Sequence, residues 1–162
     1  MVTHAAPNKK DFISCLFILA AIYSCGTLLY FSQTFLLYRF FDNGTVTGMV
    51  SGWNYLAQAG GMILFIILFK AFNGISGKRK FQACISLSLL PIITISIFTK
   101  SGYVLIIMTV LLNLAIGILT AFAFSLIAAF ITEKRFAICF AGAYSIGGMI
   151  TCIICRLNEE IL

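Results

Sequence analysis

Asn54, Gln58 and Asn113 are carboxamides set inside long apolar runs, and hydroxyls recur around them at helical spacing. Tyr23, Thr27, Tyr30, Thr34 and Tyr38 share a face of the first run. Thr47, Ser51, Asn54 and Gln58 share a face of the second, and Thr109, Asn113, Gly117 and Thr120 a face of the fourth. Uncharged donors and acceptors of this kind can hydrogen-bond a passing polar solute. Catalytic patterns are missing: there is no Ser-His-Asp set, no H-E-x-x-H and no Gly-rich phosphate loop following a strand, so no enzyme is expected. The single histidine, His4, has no Cys or carboxylate cluster beside it, and no metal or other cofactor is expected. Glu159 and Glu160 read as solvated charge at a terminus. No acidic residue lies inside an apolar run, which leaves a carboxylate proton relay unsupported.

The elements that must position these side chains are membrane helices. The chain has 162 residues, 61% of them hydrophobic and 10% charged. With a mean hydropathy of +1.06, it has too little polar sequence to clothe a water-soluble globule. A bilayer core of about 30 Å takes about 20 apolar helical residues, and five stretches qualify: residues 12–38, 46–72, 81–98, 103–131 and 136–155. The expected fold is an all-α polytopic transmembrane bundle forming a single membrane domain over residues 1–162. The third stretch is short, and Pro91 should kink it without breaking it. The first is too long for a signal peptide and lacks a clear small-residue cleavage site, so it reads as a retained helix.

The net charge of +6 sits at the ends of the apolar runs, where it reports topology and not nucleic-acid contact. With the amino terminus inside, cytoplasmic segments carry Lys9, Lys10, Lys70, Lys78, Arg79, Lys80, Lys134 and Arg135, and the outside carries Arg39, Lys100 and Arg156. Eight cations against three orient the chain as a multi-pass protein of the inner or plasma membrane with a cytoplasmic amino terminus. The six cysteines all fall in apolar runs and read as small hydrophobes, and the Cys152-x-x-Cys155 spacing reads as coincidence.

Packing competes with solute contact for several of these positions. Gly44, Gly48 and Gly52 recur every four residues beside Asn54 and Gln58, so close helix approach is the leading expectation for that face. Ala137, Ala141, Ser145 and Gly148 are expected to form a packing stripe on the fifth run. Threonines can bond back to their own helix, and Tyr38 can anchor at the interface.

The hinge "GISGKRK" after the second run resembles the loop between helices two and three of the major facilitator superfamily, whose pattern runs G-x-x-x-D-R-x-G-R-K. Gly77, Lys78 and Arg79 match its end, while Lys70, Gly74 and Ile75 replace its leading glycine, aspartate and first arginine. The junction "SLIAAFITEKRFAICFAGAYSIGGMI" is similar to the family's passage from helix four to five, with Arg135 at the arginine and Phe136 at the following glycine. "RFFDNGTVTG" and "GMVSGWNYLAQAGG" resemble its entry into helix two.

The resemblance implies five helices of a six-helix half, and a mid-membrane solute site between two halves that alternate in access. The implied partners are the bilayer, a small-molecule solute, and a second half or another copy; no nucleic acid is expected. In that family helices one and four line the path, which favours Asn113 and the first-run tyrosines, with Asn54, Gln58 and Thr120 as further candidates. Gly77, Lys78, Arg79, Lys80 and Arg135 would form the cytoplasmic gate loop, although the missing aspartate puts its latch in doubt. An arginine found in many proton-coupled exporters falls on Asn113, so proton antiport is unsupported. The competing expectations are a small substrate-binding subunit of an energy-coupling-factor importer and a nontransporting accessory protein. A gene continuing past Leu162 with further spans would favour the transporter fragment, and a natural stop there would favour the competing expectations.

Overall fold

The computed structural model describes residues 9–71, 78–130 and 133–161. Every regular element among them is helical: α1 (Lys9–Leu37), α2 (Asn43–Gly48), a π-helical turn (Met49–Trp53), α3 (Asn54–Ala71), α4 (Lys78–Phe98), α5 (Gly102–Phe130) and α6 (Glu133–Ile161). Three of them are long and apolar enough to cross a membrane, over Phe12–Leu37, Gly102–Ser125 and Arg135–Ile154. Shorter apolar helical segments span Asn54–Leu68 and Ala83–Phe98. The chain is thus an all-helical membrane protein. Large apolar side chains face outward along it, among them Phe35 at 74% exposure and Phe98 at 77%, a surface that lipid can cover without a solvation penalty. α4 passes through Pro91 as one helix.

Two compact units divide the chain: Met1–Tyr30 with Ala123–Leu162, and Phe31–Phe122. In the first unit, α1 packs on α6 through Cys15, Leu19, Ala20, Cys139 and Ala143, flanked by Phe12, Leu16, Phe124, Phe136 and Ile146. Small residues allow the approach: a side chain at Gly147 would meet the Tyr23 ring and the Ala20 carbonyl. Ser24 Oγ donates to its own helix at Ala20 O (2.8 Å) and across to Gly147 O (3.1 Å). The stripe expected to pack on this helix faces elsewhere. Ala137, Ala141 and Ser145 are exposed and Gly148 has open space around its Cα, because the buried line of α6 runs instead through Cys139, Ala143, Gly147 and Thr151.

In the second unit, α1 ends in a tight turn in which the Leu37 carbonyl accepts from both Phe40 and Phe41 N–H. Asp42 then caps α2, its carboxylate accepting from Thr45 N (3.1 Å) and Thr45 Oγ1 (2.6 Å). These two bonds favour the ionised form and hold the Asp42 carboxyl below its ordinary pKa. Tyr38, expected as an interfacial anchor, also donates its hydroxyl to Asn43 Oδ1 at 2.8 Å.

α3 and α5 touch backbone to backbone. A Cβ on Gly61 would strike the Leu114 carbonyl, and one on Gly117 would strike the Gln58 carbonyl. These glycines make the close approach expected of Gly44, Gly48 and Gly52. A Cβ added to Gly48 or Gly52 would have nothing within 4 Å, and one on Gly44 would meet only its neighbour Asp42. Phe65 and Phe122 extend the contact edge to face, with centroids 6.1 Å apart.

Candidate functional site

The second unit buries three carboxamides together: Gln33 from α1, Asn54 from the start of α3 and Asn113 from α5. Asn113 Nδ2 donates to Gln33 Oε1 at 2.8 Å and to the Thr109 carbonyl at 2.9 Å; Asn54 Nδ2 donates to the same Gln33 oxygen at 3.2 Å. The bond to Thr109 sets the polarity of the whole cluster. A backbone carbonyl accepts only from an N–H, so Asn113 must turn its NH2 inward, and Gln33 must meet it with oxygen. Gln33 Nε2 is left buried with no acceptor among the described residues. An unmet amide donor costs about 1–3 kcal/mol, which a water or a ligand oxygen would recover.

The π turn places Asn54 in this cluster. Asn54 N–H reaches back five residues to the Met49 carbonyl, so the turn takes up one residue more than an α-helical turn. Val46, Val50 and Asn54, spaced four and four, are all buried; an unbroken α-helix would set the third about 80° from the first, and the extra residue brings the three closer to one line. The extra residue corrects the face read by plain helical spacing. Thr47 lies exposed, rotated by roughly 100° from its expected alignment with Asn54, and bonds back to Asn43 O. The Ser51 side chain lies outside the described residues.

A cleft of about 180 Å³ adjoins the cluster. Leu37, Met49, Trp53, Asn54, Ile106, Thr109 and Val110 line it, and its surface is almost wholly apolar.

The other path candidates occupy varied settings. Tyr23, Thr27 and Tyr30 are half-buried in the first unit; Tyr23 packs its ring on Tyr144 at 4.4 Å, and Thr27 Oγ1 donates back to the Tyr23 carbonyl at 2.8 Å. In the second unit Thr34 and Gln58 are half-buried, and Thr120 Oγ1 bonds back to Ile116 O. Of the eight candidates, the structure joins Asn54 and Asn113 through Gln33. Gln33 escaped the sequence reading, which followed hydroxyl spacing. The available signal was that it is the lone amide of residues 12–38, and an amide in hydrocarbon needs a partner.

Of the proposed gate residues, Gly77 lies outside the described residues. Lys78, Arg79 and Lys80 form the first turn of α4, their side chains also outside the description, and Arg135 stands exposed in the first turn of α6. Comparison with protein-family models, with curated proteins and with solved structures found no match to this chain.

Proposed function

We propose that this membrane protein moves a small uncharged polar solute across the bilayer by alternating access, as part of a major-facilitator-like assembly. The observation that carries the reading is the Gln33, Asn54 and Asn113 cluster, which keeps an unmet hydrogen-bond donor inside an apolar helical unit beside a cleft. A wholly structural amide set would be expected to close its own bonds, because exposed donors in hydrocarbon are costly. An unmet donor instead suits a site whose partner arrives with the solute. In this proposal α3 and α4 complete five spans, the amino terminus is cytoplasmic, and a second half or second copy supplies the rest of the path. The absence of an acidic group in the spans favours a neutral solute over a cation.

Liposomes carrying the purified protein and loaded with sugars, polyols, small amides and neutral amino acids test the reading by mass spectrometry of what leaves. Saturable, protein-dependent exchange of one solute class, lost in Asn113→Leu at unchanged protein abundance, is the expected result. No solute leaving faster than from protein-free liposomes would overturn transport. Orientation is tested separately with single cysteines at Asn43 and Arg135 in a cysteine-free background: a membrane-impermeant maleimide added outside cells should label the first alone.

A further inference from the structure

We infer that the corner of the second unit where the end of α1 meets the α4–α5 junction is a docking surface for a phospholipid with a net negative headgroup. Arg39 and Lys100 would hold its phosphate, and its acyl chains would run down the outward apolar faces of α1 and α4. Such a surface needs the chain to lie in a bilayer but not to transport anything.

Two contacts assemble the corner. Arg39 Nη1 reaches the Ile97 carbonyl near the end of α4 at 3.5 Å. Phe40 and Phe41 lie against Gly102 at the start of α5, where an added Cβ would meet the Phe41 ring at 2.9 Å and Phe40 Cβ at 3.3 Å. Lys100 stands between Ile97 and Gly102 in the chain, so both cations belong to this corner, and both are exposed. Asp42 is the single acidic residue of positions 31–122, and its carboxylate is turned to Thr45 in the α2 cap. Two cations against one carboxylate leave the corner with a surplus of one positive charge.

Apolar surface begins where the charge stops. Phe35 on α1 and Phe98 on α4 are among the most exposed side chains of the unit, and Phe31, Leu90 and Ile95 face outward farther along the same two helices. Tyr103, 82% exposed, adds a ring with a polar tip beside Lys100. Cations at the top, an amphipathic ring at the boundary and hydrocarbon below follow the order of phosphate, interface and acyl chain in a leaflet. A free anion would use the charges and leave Phe35 and Phe98 bare, whereas an amphiphile covers both. A zwitterionic headgroup would bring its own ammonium to the two cations, which favours a lipid of net negative charge.

A reporter beside Lys100 tests this. In the double substitution Trp53→Phe with Phe98→Trp, the chain's only tryptophan is moved to the corner. The purified protein is reconstituted in phosphatidylcholine bilayers in which brominated phosphatidylglycerol or brominated phosphatidylcholine replaces increasing shares of the lipid. Quenching of the indole gives the relative affinity of the two headgroups. A surplus of one cation should favour phosphatidylglycerol roughly fivefold. Lys100→Gln, which leaves the contact of Arg39 with Ile97 in place, should bring the preference to about onefold. Asp42→Asn, which keeps a capping side chain, should instead raise it by roughly another fivefold.

Equal quenching by the two lipids, or a preference that Lys100→Gln and Asp42→Asn both leave unchanged, would overturn the proposal. So would loss of the preference when inorganic phosphate replaces chloride at constant ionic strength, which would make the corner a site for free anions. Absence of quenching by either lipid would take the corner out of the bilayer and overturn it as well.

Discussion

Asn113 Nδ2 lies 2.8 Å from Gln33 Oε1, and that bond ties α5 to α1 across 80 positions of sequence. Asn54 shares the same oxygen at 3.2 Å, so one acceptor serves two donors and three helices converge on a single atom. Shared acceptors make the three side chains energetically dependent on one another.

Replacing Gln33 by Leu should therefore destabilise the protein by about 1–3 kcal/mol, since Asn54 Nδ2 loses its acceptor and Asn113 Nδ2 keeps only the Thr109 carbonyl. Asn54→Leu should cost less, about 0.6–1.7 kcal/mol, the range of single interhelical bonds in membranes. The triple leucine variant should cost clearly less than the sum of the three single changes, because no partner remains unmet. Unfolding free energies in mixed micelles measure all of these, and strict additivity would refute the coupling.

Neighbouring glycines in α3 provide a sharper contrast. Gly61→Ala places a methyl against the Leu114 carbonyl and should cost about 1–3 kcal/mol, because backbone cannot yield as a side chain can. Gly60→Ala, with open space around it, should be neutral or stabilising by up to about 1 kcal/mol through helix propensity. Equal effects at the two positions in the same unfolding assay would contradict the α3–α5 contact.

The π turn predicts the outcome of deletions. Removing Gly52 should convert the turn to α-helix and respace the buried line Val46, Val50, Asn54 from four and four to four and three, which an α-helix accommodates. Removing Leu64 instead rotates the following residues, including buried Phe65, by roughly 100°. Folded yield after size exclusion should stay near wild type for the first deletion and collapse for the second.

Acid should loosen the start of α2. The Thr45 bonds lower the folded-state pKa of Asp42 below its unfolded value of about 3.9. The stabilisation is therefore complete above that unfolded value and is lost as pH falls through the depressed folded value. The Thr45 amide resonance should titrate with a midpoint under about 3.9, and Asp42→Asn should abolish that titration. A midpoint above the unfolded value would mean that the cap does not favour the carboxylate.

Hydropathy made helices legible because an apolar run of membrane length has few other ways to satisfy its backbone. Residues 12–38 and 103–131 correspond closely to α1 and α5 for that reason. Stripes were less legible, since small residues and glycines recur on more than one face of a helix and their spacing alone does not tell which face meets a neighbour. Ala137, Ala141 and Ser145 carried the right composition on the wrong side of α6, while Gly61 and Gly117 were the glycines that met backbone.

Composition and hydropathy by themselves determined that this chain forms helices, three of them long and apolar enough to cross a membrane, and carries amides in apolar runs that must find partners. Which partners they find was decided only in three dimensions. Constant 3.6-residue spacing aligns Asn54 with Thr47, but one extra residue in the Met49–Trp53 turn moves Asn54 onto the buried line with Val46 and Val50. Gln33 becomes the centre of the cluster because α1, α3 and α5 bring distant positions within hydrogen-bond reach, a relation that local periodicity along one helix does not encode.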